Sequence, residues 1–267
     1  MSEARAQLAV IGGGNMASAI VHGAIEAGLY EPDAVVVADP SEQKRSAFAL
    51  GVPTAAEALN LLGDGGAVLL AVKPQVLPAI SEELRGRDEP VRCVLSILAG
   101  VKAAGVRTAL GDWARVVRVM PNTPSAVGKG MSAIATSEHA GFQSLAERVF
   151  SAIGEVVVLD ESLIDAFTAL AGSGPAYVFL LAEAMRDAGV TLGMSHEDAE
   201  LAARQTIVGA AALLEQSGED AGELRRRVTS PKGTTAAAID AFQAGGFEVL
   251  VERAMTAARD RGRELGG

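Results

Sequence analysis

One short segment near the start of the chain restricts its fold more than any other. Leu8-Ala-Val-Ile11 is an apolar run of strand length, and it passes directly into Gly12-Gly-Gly14-Asn15-Met16-Ala17, a match to G-x-G-x-x-A. Asn15 to Ala27 then reads as a helix ended by Gly28. In a strand–turn–helix of this kind the first glycine permits the tight turn and the second lets backbone approach a pyrophosphate. A small residue such as Ala17 then packs the helix closely on the strand. A purely structural glycine-rich turn has the same sequence signature. The strands that follow favour the dinucleotide reading.

Those strands are Ala34–Ala38, Ala67–Val72 ended by Pro74, Val91–Ile97 and Arg115–Met120 stopped by Pro121. A helix over Glu42–Leu50 follows the first of them. Met131–Ala135 and Glu155–Leu159 add two more strands around a helix at Ala140–Ile153. Strands alternating with helices predict an α/β Rossmann fold, a doubly wound and mainly parallel sheet, over residues 1–160. After Asp160 the strand signal ends. Helices are predicted at 161–171, 175–188, 195–216, 220–228, 234–244 and 247–264, with Gly172, Gly189, Gly218, Pro231 and Gly245-Gly246 as stops. Residues 161–267 therefore form an all-α C-terminal domain. Ser195 and Asp198 fit a capping box at the start of its longest helix. Leu201, Ile207, Val208, Leu213 and Leu214 cover more than one face of that helix, which predicts burial all round or packing on a second copy, hence a homo-oligomer.

The formal net charge is −10, which argues against nucleic acid or an anionic membrane as the main partner, since both draw on excess Lys and Arg. Cys93 is the only cysteine; it lies in an apolar run and reads as a buried, inert thiol. Met1 to Gln7 is polar and carries no targeting pattern, and no apolar run looks clean enough to span a bilayer, so a cytoplasmic protein is expected. His22, His139 and His196 are isolated, with no carboxylate or cysteine at metal-ligand spacing, so no metal site is expected. There is no G-x-S-x-G elbow, HExxH or P-loop.

Several strand ends carry candidate ligand contacts. Asp39 ends the second strand, where a carboxylate binds the ribose 2′-OH and selects NAD, yet Ser41, Lys44 and Arg45 beside it suit a 2′-phosphate. Both remain open, as does plain solvated surface. Val72, Lys73 and Pro74 leave the third strand where such sheets bind ligands, and Ser96–Gly100, which includes Ala99, leaves the fourth. Asn122 and Thr123, lodged between prolines, either position a carboxamide or substrate or form a rigid turn. Gly172-Ser-Gly-Pro-Ala-Tyr177 opens a helix with proline in its first turn, as a cleft wall or a packing motif. Val228-Thr-Ser-Pro-Lys-Gly-Thr-Thr235 delivers two hydroxyls and free backbone N–H groups to a helix start, a setting that favours a bound carboxylate.

Taken together, Ile11–Met16, Val72–Gln75, Arg118–Pro124, Leu163-Ile-Asp165, Gly172–Tyr177 and Val228–Thr235 resemble the pyrroline-5-carboxylate reductases, which catalyse the last step of proline biosynthesis. The resemblance extends over nearly the whole chain. It implies a Rossmann domain followed by a helical dimerisation domain, with dimers that commonly assemble into decamers. It implies reduction of (S)-1-pyrroline-5-carboxylate to L-proline with NADPH as the usual donor and NADH possible. On this resemblance Gly12, Gly14, Asn15, Met16 and Ala17 hold the pyrophosphate, and Val72, Lys73 and Ala99 line the nicotinamide half. Gly233, Thr234 and Thr235 bind the substrate carboxylate, the Thr235 hydroxyl meets the ring nitrogen, and Glu161 matches a position that approaches substrate in some members. The chain departs from the family at Lys232, where a small or polar residue is usual, and at Ala55, where many members have Asn. The chemistry asks the protein only for placement and charge stabilisation, so the lack of a well-placed histidine does not oppose it.

Overall fold

The computed structural model describes residues 6–87, 90, 92–137 and 140–266. His139 and the start of the fourth expected strand at Val91 lie outside the described residues. The first compact unit comprises residues 1–172 and 258–267, and the second residues 173–257.

In the first unit β1 (Ala6–Ile11) leads into α1 (Asn15–Glu26), and β2 (Val35–Ala38) follows. Next come α2 (Glu42–Arg45), β3 (Leu50–Val52), α3 (Ala55–Leu61), β4 (Leu62–Leu70) and α4 (Leu77–Glu83). β5 (Arg92–Ser96), α5 (Ala103–Leu110), β6 (Ala114–Met120), β7 (Gly130–Ala135), α6 (Ala140–Ser151) and β8 (Gly154–Leu159) complete the sheet layer. The strands form one sheet in the order β3-β2-β1-β4-β5-β6-β7-β8, parallel throughout except at the β6–β7 pair. This is the doubly wound, mainly parallel sheet read from the sequence. The alternation required a crossover between parallel strands without bounding α3, α4 and α5.

Alternate residues of the central strands face opposite sides. Leu8, Val10, Leu69 and Leu95 pack under α1 and α6, while Ala9, Ile11, Val68 and Val94 pack under α3, α4 and α5. Leu8, Leu69 and Leu95 are fully buried, each stabilising the fold by about 1.5–3 kcal/mol relative to exposure. The expected helix Glu42–Leu50 stops at Arg45, because Leu50 pairs with Val36 as the first residue of β3. Sheet pairing overrides the local helical pattern there.

Beyond β8, a 3₁₀ turn at Glu161–Leu163, α7 (Ile164–Phe167) and a π-helical turn at Thr168–Gly172 end the first unit. The second unit is helical: α8 (Gly174–Thr191), α9 (His196–Ser217), α10 (Ala221–Arg227), α11 (Thr234–Ala244) and the start of α12 (Phe247–Gly266). Gly189 does not stop a helix as its sequence context suggested. A Cβ there would stand 3.2 Å from the Ala199 Cβ, so the glycine lets α8 and α9 approach while α8 runs on to Thr191. The Ser195 hydroxyl accepts from the Asp198 N–H at 3.1 Å and caps α9, whose C-cap Gly218 is left-handed.

The helical stretch Glu161–Thr191 holds an 18-residue window of mean hydropathy 1.3, long and apolar enough to cross a bilayer by length and composition alone, and Asp165, Gly172, Gly174 and Pro175 lie within the stretch. The second unit leaves a wide apolar face uncovered. Leu180, Leu201, Leu250 and Phe179 are each more than half exposed, and Tyr177, Leu180, Phe242, Phe247, Leu250 and Met255 line an open groove of 790 Å³. A face of that kind marks an association surface. We expect the protein to sediment as a dimer or larger at micromolar concentration. Leu250→Glu should shift it toward monomer, as read by analytical ultracentrifugation; a wild-type monomer would refute this.

Cys93 is buried, and burial pushes its thiol up to about 12. Between the ordinary thiol range and that value the unfolded chain ionises Cys93 while the folded chain keeps its proton. The unfolded state then binds fewer protons, so this contribution to stability declines as pH rises, by about 1.4 kcal/mol per pH unit. Urea melts from about pH 8 to about pH 11 should therefore show a shallower loss of stability in Cys93→Ala than in the wild type.

Candidate active site

The β1–α1 turn sits where the strand order reverses, at the carboxyl ends of β1 and β4. Gly12 has φ +104°, and a Cβ on it would stand 2.7 Å from the Ala71 carbonyl oxygen and 3.0 Å from Val72 Cγ1. Only glycine passes there. The Gly12 N–H donates to Ala38 O at 2.8 Å, and the Gly13 N–H donates to the Asp39 carboxylate at 2.9 Å. Gly14 is the extended N-cap of α1 and supplies no side-chain cap. A Cβ at Gly14 would meet nothing within 4 Å. The turn thus presents open space in front of an uncapped helix start with Asn15, Met16 and Ala17 in its first turn, a cradle that fits a pyrophosphate. Ala17 is buried against the sheet, as the packing role requires.

Asp39 is 6% exposed, and both carboxylate oxygens are engaged. Oδ2 accepts from Gly13 N–H, Oδ1 accepts from Ser41 N–H at 2.9 Å, and Lys44 Nζ stands 3.6 Å from Oδ2. Its first job is to brace the turn. Arg45 donates to the Pro40 carbonyl at 3.0 Å, and Lys44 is more than half exposed. Val72, Lys73 and Pro74 follow β4, with Val72 partly buried and Lys73 exposed. Ala99 is exposed on the turn after β5, next to Gly100 at φ +76°. Gly12–Ala17, Asp39, Val72–Pro74 and Ala99 therefore all fall at the carboxyl ends of β1, β2, β4 and β5. Ala55 is buried at the start of α3, which Thr54 caps.

Asn122, at the end of β6, is 8% exposed and bridges two segments. Its Nδ2 donates to Ala171 O at 2.9 Å, and its Oδ1 accepts from Met131 N–H at 2.8 Å. Of the two sequence readings, the rigid turn has these direct contacts behind it. Glu161 Oε1 accepts from Ala103 N–H at 2.7 Å and stands 3.7 Å from Arg118 Nη1. Sequence reading passed over Arg118, although a charge inside the apolar run of β6 was the available signal: a buried guanidinium must find carboxylates.

In the second unit, Thr229 to Gly233 forms the turn before α11. Lys232 has φ +62°, a left-handed conformation that glycine or asparagine adopts at less cost than lysine. A Cβ at Gly233 would stand 2.4 Å from Ser230 Oγ and 3.1 Å from Ser230 O, so a side chain here requires the Ser230 hydroxyl to move. Gly233 is an extended N-cap without a side-chain cap, and Thr234 and Thr235 open α11. Their hydroxyls and the first-turn N–H groups can hold a carboxylate. His22 stacks on Phe48 and contacts Ser18, and among the described residues no group of His, Cys, Asp or Glu is arranged to hold a metal.

Residues 161–265 match the family described as pyrroline-5-carboxylate reductase dimerisation, and residues 7–100 the family described as NADP oxidoreductase, coenzyme F420-dependent. The chain is 42% identical to a pyrroline-5-carboxylate reductase of Pseudomonas aeruginosa over 97% of its own length and 96% of that relative's. The solved structure of a pyrroline-5-carboxylate reductase from Coxiella burnetii matches with a TM-score of 0.88 and 37% identity, over 98% of this chain and 99% of that one. The Plasmodium falciparum pyrroline carboxylate reductase, solved with NADP bound, matches with a TM-score of 0.83 and 26% identity, over 99% of both chains.

Gly14→Ala separates folding from ligand approach. The free turn accommodates the methyl, so the melting temperature should hold. Crowding of the bound pyrophosphate should weaken NADPH by about 10–100-fold in a fluorescence titration. Unchanged affinity would remove this turn from coenzyme binding.

Proposed function

The chain belongs to the pyrroline-5-carboxylate reductase family, and from that premise we propose how its own residues serve the reaction. It is an NAD(P)H-dependent oxidoreductase that reduces the C=N bond of (S)-1-pyrroline-5-carboxylate to L-proline, the last step of proline biosynthesis. One observation carries the reading: relatedness extends over both units, so the uncapped helix start at Gly14 and the one at Gly233 belong to one enzyme.

NAD(P)H, when bound, supplies the hydride that the imine carbon accepts. Gly12, Gly14, Asn15, Met16 and Ala17 hold its pyrophosphate on backbone N–H groups at the α1 start. Val72, Lys73, Pro74 and Ala99 line the nicotinamide half, and Asn122 serves that half by bracing the turn after β6. At the other helix start, the N–H groups of Gly233, Thr234 and Thr235 take the substrate carboxylate. The Thr235 hydroxyl oxygen accepts from the protonated imine nitrogen. Reduction leaves the former π pair on that nitrogen, which keeps its proton, so no strong general acid is needed. Residues 1–160 thus carry the coenzyme and 161–267 the substrate loop and the dimer surface. Dimers assemble into a decamer, which a mass measurement in solution tests, and the enzyme works in the cytoplasm.

For the adenosine ribose, both oxygens of Asp39 already hold backbone N–H groups, while Lys44, 3.6 Å from Asp39 Oδ2 and more than half exposed, lies close in the chain to Ser41 and Arg45. That supports NADPH as the preferred donor, with NADH accepted. We expect saturable oxidation of NADPH with DL-pyrroline-5-carboxylate and a smaller kcat/KM with NADH. Lys44→Ala should raise KM for NADPH by about 3–10-fold, the loss of one exposed charge contact, and leave NADH unaffected. Equal effects on both coenzymes would remove Lys44 from the choice. Thr235→Ala should lower kcat/KM by about 10–1,000-fold while NADPH still binds. An unchanged kcat/KM would exclude Thr235 from the reaction, and no turnover by folded, NADPH-binding wild type would exclude the function itself.

A further inference from the structure

We propose that Arg118 is a positioning residue for hydride transfer, acting through Glu161 on the turn that carries Ala99. The inference rests on the function proposed above.

Arg118 lies in β6 between the buried Val117 and Val119 and is itself 2% exposed. A guanidinium so far from water requires polar partners, and Arg118 has two carboxylates from beyond β8. Its Nη2 stands 3.3 Å from Asp165 Oδ1 in α7, and its Nη1 stands 3.7 Å from Glu161 Oε1. The same Glu161 oxygen accepts the Ala103 N–H at 2.7 Å. Ala103 is the first residue of α5, whose N-cap Lys102 provides no side-chain oxygen. Glu161 therefore caps α5 from a distant part of the chain.

That cap bears on the proposed nicotinamide wall. The turn leaving β5 is pinned at its start, where Ile97 N–H donates to Leu70 O at 3.1 Å. Its far end enters α5 at Ala103, under Glu161. Ala99 sits between the two anchors on the exposed tip, beside the left-handed Gly100. Arg118 fixes the Glu161 carboxylate, Glu161 fixes the start of α5, and the turn is held at both ends. Hydride transfer depends steeply on sub-ångström placement, so loss of one anchor is felt as lost turnover more than as lost coenzyme affinity.

A role for Glu161 in direct contact with substrate would rest on its charge, whereas the cap rests on its acceptor oxygen. Glutamine keeps the oxygen and removes the charge. The test uses the full-length enzyme and its Glu161→Ala, Glu161→Gln and Arg118→Lys variants. Hydrogen exchange in the coenzyme-free protein reads the start of α5 directly; NADPH titration, steady-state kinetics and the primary isotope effect with C4-deuterated NADPH read the consequence. Glu161→Ala should expose the first amides of α5 to exchange, lower kcat by about 10–100-fold, enlarge the isotope effect and leave the NADPH Kd within about 3-fold. Glu161→Gln should restore the protection and most of the turnover, with Arg118→Lys intermediate. Unchanged protection of α5 in Glu161→Ala would overturn the proposal. So would a Glu161→Gln enzyme with protected amides and turnover as low as the alanine variant, or an Arg118→Lys enzyme identical to wild type in every readout. Absence of turnover in the wild type is seen before any variant is made, and it would refute the function rather than the cap.

Discussion

A Cβ on residue 12 would stand 2.7 Å from the carbonyl oxygen of Ala71, so the chain leaves β1 past the end of β4 only because that residue is glycine. The rest of the coenzyme edge follows from this close approach. It sets the direction in which α1 departs and brings Gly13 N–H onto the Asp39 carboxylate. It also leaves Gly14 at the helix start with neither a side chain of its own nor a neighbour in front of it. A larger residue at position 12 would displace the turn, and with it both the α1 start and the brace to β2.

Two contrasting kinds of helix start stand out in this protein. Thr54, Ser195 and Asp220 cap α3, α9 and α10 with their own side chains, satisfying N–H groups that would otherwise face water. At Gly14 and Gly233 the N-cap is an extended glycine with no oxygen to offer. Those are the two helix starts proposed to hold anionic groups, the pyrophosphate of the coenzyme and the carboxylate of the substrate. A cap would compete with the ligand for the same donors. In a chain of net charge −10, fixed dipoles at two helix starts can hold anions that the overall field repels.

The sequence was most legible where one local rule acts. The glycine motif, the strand end at Pro121, the Ser195 cap and the burial of Cys93 all follow from residues within a turn of one another. It was least legible where distant segments decide. Glu42–Leu50 has helical character, but Leu50 is taken by Val36 across the sheet. Gly189 looks like a stop, yet it serves contact with Ala199. Asp39 and Glu161 resemble ligand carboxylates in sequence, and in the fold both hold backbone N–H groups. A carboxylate's partner far along the chain cannot be read from its neighbours.

The helical unit raises a different constraint. Its buried side chains are few and small, Ala199 and Ala203 among them, while Phe179, Leu180, Leu192, Val249 and Leu250 face outward. Helices packed through alanine and glycine come close together, but they remove little apolar surface from water per residue. Such a unit gains most of its hydrophobic stabilisation only when a second copy covers the outward face. The loop that holds Thr234 and Thr235 is built on that same unit. Dimer formation and the rigidity of the proposed substrate loop therefore draw on one set of apolar contacts. In the proposed site, a carboxylate at the start of α11 is fixed only as firmly as α11 is fixed by its neighbours, so a copy that covers the apolar face would also steady that site.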